Sequence, residues 1–317
     1  MFRDSLRKIV QRQNLTEAET AEVLGEIFSG ALSDALIAAF MAALATKGET
    51  FEELAGAAKA MRRKASRIQV GGGLVVDTCG TGGDAAGTFN ISTVTAFVVA
   101  GCGVTVAKHG NRSVSSRCGS ADLVEALGVD LAAPPDVVEE AVREIGIGFL
   151  FAPLYHGAMK HAAGARKELG LRSIFNMLGP LTNPAGAGAQ LLGVYAPQLT
   201  EMFAEALRLL GSKRAFIVHG HDGLDEISAC APTRVTELED GRIRTYDIDP
   251  ERFLGRRAAP AEVAGGDPAR NAEITRGVLA GFKGACRDVV VLNAAAALMA
   301  AGKTASIEAG MRLAAES

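Results

Sequence analysis

Short apolar segments alternate with helical stretches beyond residue 73, and this alternation limits the possible folds more than any other feature of the sequence. Strand, helix and strand in succession predict the α/β class, with a mainly parallel central sheet flanked by helices. Residues 236–247, with Asp240-Gly241 at their centre, have the pattern of a β-hairpin. The predicted strands are residues 74–77, 104–107, 146–151, 190–195 and 215–219, and the predicted helices are residues 91–100, 121–127, 135–145, 158–168, 199–210, 272–279 and 293–315.

The N-terminal part of the chain carries only helical patterns. Thr16 and Thr50 each begin a capping-box pattern, which predicts two helix starts. A third helix, over residues 34–46, is nearly all apolar, so we expect the neighbouring domain or a second subunit to cover most of its sides. Gly71-Gly72-Gly73 interrupts the pattern and indicates a linker. The predicted domains are a smaller all-helical domain over residues 1–70, joined by a helical segment near residues 160–183, and an α/β domain over residues 71–317.

The composition argues against several classes of protein. The formal net charge of the 317 residues is −3. Nearly equal numbers of positive and negative side chains are unusual in proteins that bind nucleic acid or membrane surfaces. The longest purely apolar run, residues 35–45, is about half of what a membrane span needs. The five cysteines are scattered and form no C-x-x-C pair, which is typical of reduced thiols. We therefore predict a cytoplasmic protein without nucleic-acid or membrane partners.

A glycine-rich loop follows the first predicted strand. Four glycines fall within the eight residues from Gly80 to Gly87, and a helix is predicted to begin near Asn90. The amides of such a loop and the N-terminus of the following helix are typical of phosphate binding. A flexible turn between strand and helix is the alternative, and the glycines alone leave the two readings about even.

Two familiar nucleotide loops do not fit these glycines. Residues 80–85 match the G-x-G-x-x-A spacing of dinucleotide-binding proteins, but the next predicted strand is followed by Lys108 instead of the required acid. Residues 82–87 have the spacing of the nucleoside-triphosphatase loop, but Thr88 stands where that loop needs lysine. The sequence therefore disfavours an NAD-dependent oxidoreductase.

A second polar loop, residues 108–120, follows the next predicted strand. Its cations Lys108 and Arg112 flank a glycine and precede several serines, a composition that suits a highly anionic ligand better than a solvated basic turn. Because the carboxyl ends of parallel strands lie at one edge of the sheet, we expect this loop beside the glycine-rich loop.

A third loop, after the strand at residues 215–219, carries Asp225 and Glu226. Adjacent carboxylates suit Mg²⁺ bound with a phosphate-rich substrate, although alone they are more typical of a helix start. His219 and His221 have no third ligand nearby, so a zinc site is not predicted. Glycine amides, cations with hydroxyls and a carboxylate pair at one edge together predict a phosphorylated sugar bound with magnesium.

Several motifs, in order along nearly the whole chain, resemble the anthranilate phosphoribosyltransferase family. They are Gly80-Thr81-Gly82-Gly83-Asp84, Asn90-Ile91-Ser92-Thr93, Lys108 to Ser116, Arg166 to Gly170, Phe175 to Pro184 and Asp222-Gly223-Leu224-Asp225-Glu226. The related pyrimidine nucleoside phosphorylases share the fold and the Lys-His-Gly start of the second loop, but not its continuation. The resemblance implies transfer of phosphoribose from phosphoribosyl pyrophosphate (PRPP) to the amine of anthranilate, a step of tryptophan biosynthesis, by a Mg²⁺-dependent homodimer.

The resemblance also implies roles for individual residues. PRPP would be held by Gly80, Gly83, Asp84, Thr88, Asn90, Ile91, Ser92, Thr93, Lys108, His109, Gly110, Asn111, Arg112, Ser113, Val114, Ser115, Ser116 and Ser120. Anthranilate would be held by Gly80, Asn111 and Arg166, and magnesium by Ser92, Asp225 and Glu226. The Arg166 guanidinium suits the anthranilate carboxylate. No acid–base pair is assigned, because an aromatic amine is already a neutral nucleophile at pH 7, and His109 is a candidate only by position.

The sequence departs from the family at a few positions. Arg117-Cys118 replaces the more usual lysine and small residue, and Gly157 stands where proline is common, beside His156 and the expected anthranilate channel. Two other functions compete: a phosphorylase or transferase for a different nitrogen heterocycle, and a nucleotide-binding regulator without catalysis. Arg166 favours an acceptor with a carboxylate, and the complete set of expected ligands disfavours the regulator.

Overall fold

The computed structural model describes residues 1–84, 86–113 and 116–317. Four helices open the chain: α1 (Phe2–Val10), α2 (Glu17–Phe28), α3 (Asp34–Lys47) and α4 (Phe51–Lys64). Both predicted capping boxes are present, because the hydroxyls of Thr16 and Thr50 accept from backbone amides at the starts of α2 and α4. On α3, this chain buries one face only, formed by Ile37, Phe40, Met41 and Leu44. The buried part of α3 is thus smaller than its nearly all-apolar sequence predicts.

A seven-stranded sheet forms the centre of the remaining chain, in the order β3-β2-β1-β4-β5-β6-β7. The strands are β1 (Val76–Gly80), β2 (Val106–Gly110), β3 (Ile147–Phe151), β4 (Ala189–Gly193), β5 (Arg214–Gly220), β6 (Thr233–Glu239) and β7 (Arg242–Ile248). Strands β1 to β5 are parallel, whereas β6 and β7 form the predicted antiparallel hairpin. Asp240 and Gly241 both have positive φ, as a tight two-residue turn between twisted strands requires.

Helices flank the sheet. They are α5 (Ile91–Gly101), α6 (Ser120–Ala126), α7 (Pro135–Ile145), α8 (Ala152–Tyr155), α9 (Lys160–Leu169), α10 (Ile174–Met177), α11 (Leu199–Leu209), α12 (Pro250–Leu254), α13 (Pro268–Leu279), α14 (Ala285–Ala300) and α15 (Ile307–Glu316). The prediction of a single helix over residues 293–315 is wrong, because two helices, α14 and α15, cover this part of the chain. Gly302, with φ +69°, ends the first helix, and the Ser306 hydroxyl caps the second.

Alternate residues of the central strands enter two different cores. Leu192 and Ile217 face a core that contains α2, α3, α4 and α11, whereas Leu191 and Phe216 face a core that contains α5, α13 and α14. This period of two is what a strand buried on both faces requires. The N-terminal helices therefore share one continuous apolar core with the sheet. Within the described ranges, no helix is both long and apolar enough to cross a bilayer.

Candidate active site

The three predicted loops leave the sheet at the carboxyl ends of β1, β2 and β5, and hydrogen bonds join them. The Gly82 amide donates to Asp225 Oδ2 over 2.8 Å, and the Ser92 amide donates to Glu226 Oε1 over 3.0 Å. The Lys108 ammonium donates to the Thr78 carbonyl and lies 3.5 Å from Ser92 Oγ. The structure thus brings residues of all three loops together at one edge, as the parallel topology requires.

Two glycines make room for Asp225. A Cβ at Gly193, the last residue of β4, would lie 1.5 Å from the backbone oxygen of Asp225. A Cβ at Gly80 would lie 2.4 Å from Asp225 Oδ2. Real Cβ atoms do not approach oxygen so closely, so the carboxylate loop packs against strand ends that only glycine can form.

The carboxylate pair is nearly enclosed, with Asp225 9% and Glu226 6% exposed. Burial raises the pKa of both carboxyls. The nearby Asp84 raises the pKa of Asp225 further, and Asp225 in turn raises the pKa of Glu226 further. Among the described residues, Glu226 Oε2 is buried without a hydrogen-bond partner. A buried acid pair with an unsatisfied oxygen is suited to a cation, because a cation neutralises the pair and completes its bonding.

The donor set fits magnesium held jointly with a substrate. No group of three or more histidine, cysteine or acidic side chains suited to a metal occurs in the part of the chain that the structure describes. Two carboxylates and the Ser92 hydroxyl would leave further positions to water and phosphate oxygens, as Mg²⁺ prefers. His219 and His221 have other partners, the Val194 carbonyl and Asp247.

The second loop is held in place by a buried polar network beneath it. Asp77 accepts from the His109 amide over 3.2 Å and from Asn183 Nδ2 over 2.8 Å. Asn183 also donates to the Ala107 carbonyl over 2.8 Å, so one amide side chain joins β1 to β2. Burial raises the pKa of Asp77, and the nearby Lys108 ammonium opposes that shift. The sequence assigned no role to Asn183, because a single asparagine in a motif does not reveal its distant partners.

Arg112 has protein partners of its own. Its guanidinium lies 2.9 Å from Asp122 Oδ1 and 2.7 Å from Glu125 Oε2, both on α6. A phosphate at Arg112 would therefore compete with these carboxylates. The hydroxyls of Ser113 and Ser116 bond to each other, and Ser120 Oγ accepts from the Asn111 amide. The predicted ligands Val114 and Ser115 lie outside the described residues.

Arg166 projects from α9 as a half-buried cation. Its guanidinium lies over the Phe175 ring, 5.8 Å from the ring centre, and burial lowers its pKa. Within the described residues it forms no ion pair and no hydrogen bond to Gly80 or Asn111. A partly dehydrated cation without a counter-ion is suited to bind an anion such as a carboxylate.

A second arginine, for which the sequence motifs predict no role, contacts the glycine-rich loop. Arg172 donates to the Gly83 carbonyl, and its guanidinium stacks on Tyr195, 4.3 Å from the ring centre. No spacing rule identifies such a residue, because it lies in the connection between α9 and α10, far from the loop in sequence.

His109 forms a buried pair with His156, whose Nε2 lies 3.2 Å from His109 Nε2. The Gly179 carbonyl lies 3.1 Å from His109 Nδ1 and can only accept, so His109 carries its proton on Nδ1. His109 Nε2 must then accept from the Nε2–H of His156. Burial lowers the pKa of His109 to about 3 and that of His156 to about 4, so both rings are neutral at pH 7.

We expect this pair to weaken the protein in mild acid. A histidine whose pKa is lower in the folded protein contributes stability that is fully present above the unfolded pKa of about 6.5. That contribution is lost as pH falls from the unfolded pKa toward the folded pKa, at about 1.4 kcal/mol per pH unit for each ring. The raised pKa values of Asp225 and Glu226 have the opposite effect on the pH dependence of stability, so the parent is compared with His156→Gln in denaturant titrations at pH 5 to 8. As pH falls below 6.5, the free energy of unfolding of the parent should fall relative to that of His156→Gln, because the variant has lost one of the two rings. A difference that does not change with pH would contradict the prediction.

Two family models match the chain in succession. The model described as "Glycosyl transferase family, helical bundle domain" matches residues 3–65, and "Glycosyl transferase family, a/b domain" matches residues 72–317. The anthranilate phosphoribosyltransferase of Syntrophobacter fumaroxidans is 71% identical over 317 residues, 100% of this chain and 94% of the relative. That of Desulfosudis oleivorans is 68% identical, over 99% of this chain and 93% of the relative.

Solved structures agree with the sequence relatives. Anthranilate phosphoribosyltransferase from Thermus thermophilus superposes with a TM-score of 0.93 at 46% identity, over 99% of this chain and 94% of that one. The enzyme from Saccharomyces cerevisiae, solved in complex with PRPP and Mg, gives a TM-score of 0.88 at 29% identity, over 99% of this chain and 92% of that one. The predicted resemblance and fold class are confirmed, and the chain belongs to the anthranilate phosphoribosyltransferase family of glycosyl transferases.

Proposed function

We propose that this chain transfers the 5-phosphoribosyl group of PRPP to the amine of anthranilate, giving N-(5-phosphoribosyl)anthranilate and pyrophosphate for tryptophan biosynthesis. The observation that carries the proposal is the direct bonding of the glycine-rich loop to the carboxylate pair, through Gly82 to Asp225 and Ser92 to Glu226. This arrangement would bring amides suited to phosphate and carboxylates suited to a cation into one site. Family membership supplies the acceptor.

The donor is proposed to lie along the sheet edge. Its ligands would come from the three loops: Gly80, Gly83, Asp84, Thr88, residues 90–93, residues 108–116 and Ser120, with Ser92, Asp225 and Glu226 toward magnesium. Magnesium, when bound, would supply positive charge that neutralises the pyrophosphate leaving group. The yeast relative solved with PRPP and Mg supports this assignment. The unsatisfied oxygen of Glu226 supports it independently.

The chain's own residues would act mainly by position and electrostatics. The anthranilate nitrogen uses its lone pair to form the bond to the anomeric carbon, while the bond to pyrophosphate breaks and its electron pair leaves with the pyrophosphate oxygen. The nitrogen then releases one proton to the departing pyrophosphate or to water. Loop amides and the Lys108 ammonium would stabilise negative charge at that oxygen. Arg166, with Gly80 and Asn111, would hold the acceptor so that its amine faces the anomeric carbon. A yeast relative was solved with 4-fluoroanthranilate, which supports an acceptor site of this kind.

Arg166→Ala tests the acceptor site. We expect the KM for anthranilate to rise by about 10- to 100-fold, because a charged hydrogen bond to the carboxylate is lost. The assay follows anthranilate fluorescence with PRPP and Mg²⁺ present, and the chain has no tryptophan to interfere. Lys167→Ala, which removes the adjacent exposed cation of α9, is the matched control and should leave the KM unchanged. Wild-type protein that binds PRPP with Mg²⁺ but consumes no anthranilate would point to another acceptor.

We further propose that the protein is a cytoplasmic homodimer, with domains over residues 1–70 and 71–317. The scattered free cysteines support the location. The dimer is supported by α3, because apolar residues on its other faces, such as Leu36 and Ala43, are only half-buried by this chain. The segment near residues 160–183 is proposed to join the helical domain, since Gly164 of α9 lies directly against Asp34 of α3.

A further inference from the structure

Asn271 is a buried polar residue of α13 to which neither the motifs nor the proposed mechanism assigns a role. Its side chain is 1% exposed. Its Oδ1 accepts from the Gly266 amide over 2.7 Å, and its Nδ2 donates to Asn90 Oδ1 over 3.0 Å. Asn90 in turn donates from Nδ2 to the Cys118 carbonyl over 3.0 Å. Three successive hydrogen bonds therefore connect the segment before α13, through Asn271 and Asn90, to the second loop.

The direction of these three hydrogen bonds is fixed at the two ends. The backbone amide of Gly266 can only donate, so the atom of Asn271 that faces it must be the oxygen. The Asn271 nitrogen must then face Asn90, which fixes the oxygen of Asn90 as the acceptor. The carbonyl of Cys118 at the far end can only accept, which fixes the same orientation of Asn90 from the other side. Both asparagine amides are thus held in one of their two flipped states.

The fixed orientation determines what Asn90 offers to a ligand. A side-chain amide nitrogen carries two hydrogens, and Asn90 uses one of them on Cys118. In the part of the chain that the structure describes, no partner takes the second. Asn90 directly precedes α5, whose N-terminal amides attract anions. Its oxygen, which would repel an anion, is bonded to Asn271.

The segment just before α13 packs against the end of the glycine-rich loop. The Gly265 amide donates to the Gly87 carbonyl over 2.9 Å, and Thr88 forms a β-bridge with Ala264. A Cβ at Gly265 would lie 2.6 Å from the Phe89 amide nitrogen, so the two segments are in close contact. The Gly266 amide that donates to Asn271 thus belongs to a segment held against the glycine-rich loop.

We propose that Asn271 is a positioning residue that orients the Asn90 amide so that a donor, and not an acceptor, faces a phosphate group of the sugar-phosphate substrate. The inference rests on the proposed PRPP site, since it concerns the orientation of one of its ligands. It adds a residue on α13 that acts only through another side chain.

Asn271→Asp tests the proposal with almost no change of shape. The aspartate still accepts from Gly266 but cannot donate to Asn90, and its oxygen repels the Asn90 oxygen. We expect the dissociation constant of PRPP, measured by calorimetry with Mg²⁺ and without anthranilate, to rise about tenfold or more. The KM for anthranilate should change less than twofold. Asn271→Ser, which is too short to reach Asn90 and adds no charge, carries the same expectations and excludes direct repulsion by the aspartate as the cause.

Two comparisons separate positioning from general damage. Thr275→Val removes a buried hydroxyl one turn along α13 that donates to the Asn271 carbonyl, so it should lower the melting temperature but leave PRPP affinity unchanged. In an Asn90→Ala background, Asn271→Ser should alter PRPP affinity less than twofold, because the residue through which it acts is gone and no charge is added. An equal loss in both backgrounds, or no loss in the parent, would overturn the inference. Failure of the wild-type protein to bind PRPP would instead overturn the proposed function.

Discussion

Glu226→Gln is expected to reduce Mg²⁺-dependent transfer by about 10²-fold or more without weakening the metal-free protein. The amide keeps the shape of the side chain and can still accept from the Ser92 amide, but it offers no charge to a cation. Loss of the positive charge that faces the leaving group corresponds to several kcal/mol of barrier. The amide removes a buried negative charge that burial and nearby Asp225 both disfavour, so the empty protein should be at least as stable as the parent.

Thermal unfolding separates the two parts of this expectation. In the parent, Mg²⁺ with PRPP should raise the melting temperature, and in the variant that rise should be absent while the melting temperature without ligands is retained. Glu239→Gln, at an exposed position at the opposite end of the sheet, is the matched control and should keep both activity and the ligand-induced rise. A Glu226→Gln protein with normal Mg²⁺ dependence would remove Glu226 from the proposed metal site.

Gly193→Ala is expected to be strongly destabilising. The added methyl would lie 1.5 Å from the Asp225 backbone oxygen, so either β4 or the carboxylate loop must move. Overpacking of a buried backbone contact should reduce the free energy of unfolding by about 3 kcal/mol or more. Displacement of Asp225 should also remove activity in whatever protein remains folded. Urea denaturation followed by circular dichroism measures the first effect, and the fluorescence assay the second.

The same substitution elsewhere provides the control. Gly25 lies within α2 with ordinary φ, and no atom lies within 4 Å of the position that an added methyl would take. Because glycine is a poor helix former, Gly25→Ala should raise the free energy of unfolding by about 0.5–1 kcal/mol. Opposite signs at the two positions would show that the effect at Gly193 comes from its contact with Asp225. A mild effect at Gly193 would mean that the carboxylate loop is not fixed by β4.

Local patterns were sufficient to predict much of the fold. The strands, the hairpin turn and both capping boxes depend on side-chain alternation or on residues three positions apart, and such signals survive without tertiary information. The first strand begins at Val76 and extends to Gly80, later than predicted, because its end is defined by pairing with β4. The alanine-rich C-terminus was predicted as one helix since its uniform composition hides the break at Gly302.

The polar contacts beneath the site could not be predicted in the same way. Asn183, Asn271 and Asn293 each bond to residues of the site from at least 66 positions away in sequence. Asn293, for example, holds both backbone groups of Ile227, next to the carboxylate pair, from α14. A lone asparagine in a helical pattern has no periodic signal, and its partners are defined only when the helix packs. The ion pairs of Arg112 with α6 were missed for the same reason.

The core shared by the N-terminal helices and the sheet has a consequence for the order of events during synthesis. Leu24, Phe40 and Leu54 leave the ribosome first, but they pack in one core with Phe203, Ile217 and Leu238. The core of the first four helices therefore remains incomplete until β6 has been translated. Contacts between such distant segments slow folding and leave apolar surface uncovered for longer. The nascent chain should consequently depend on chaperones through most of its elongation, even though its N-terminus is the part with the most regular local structure.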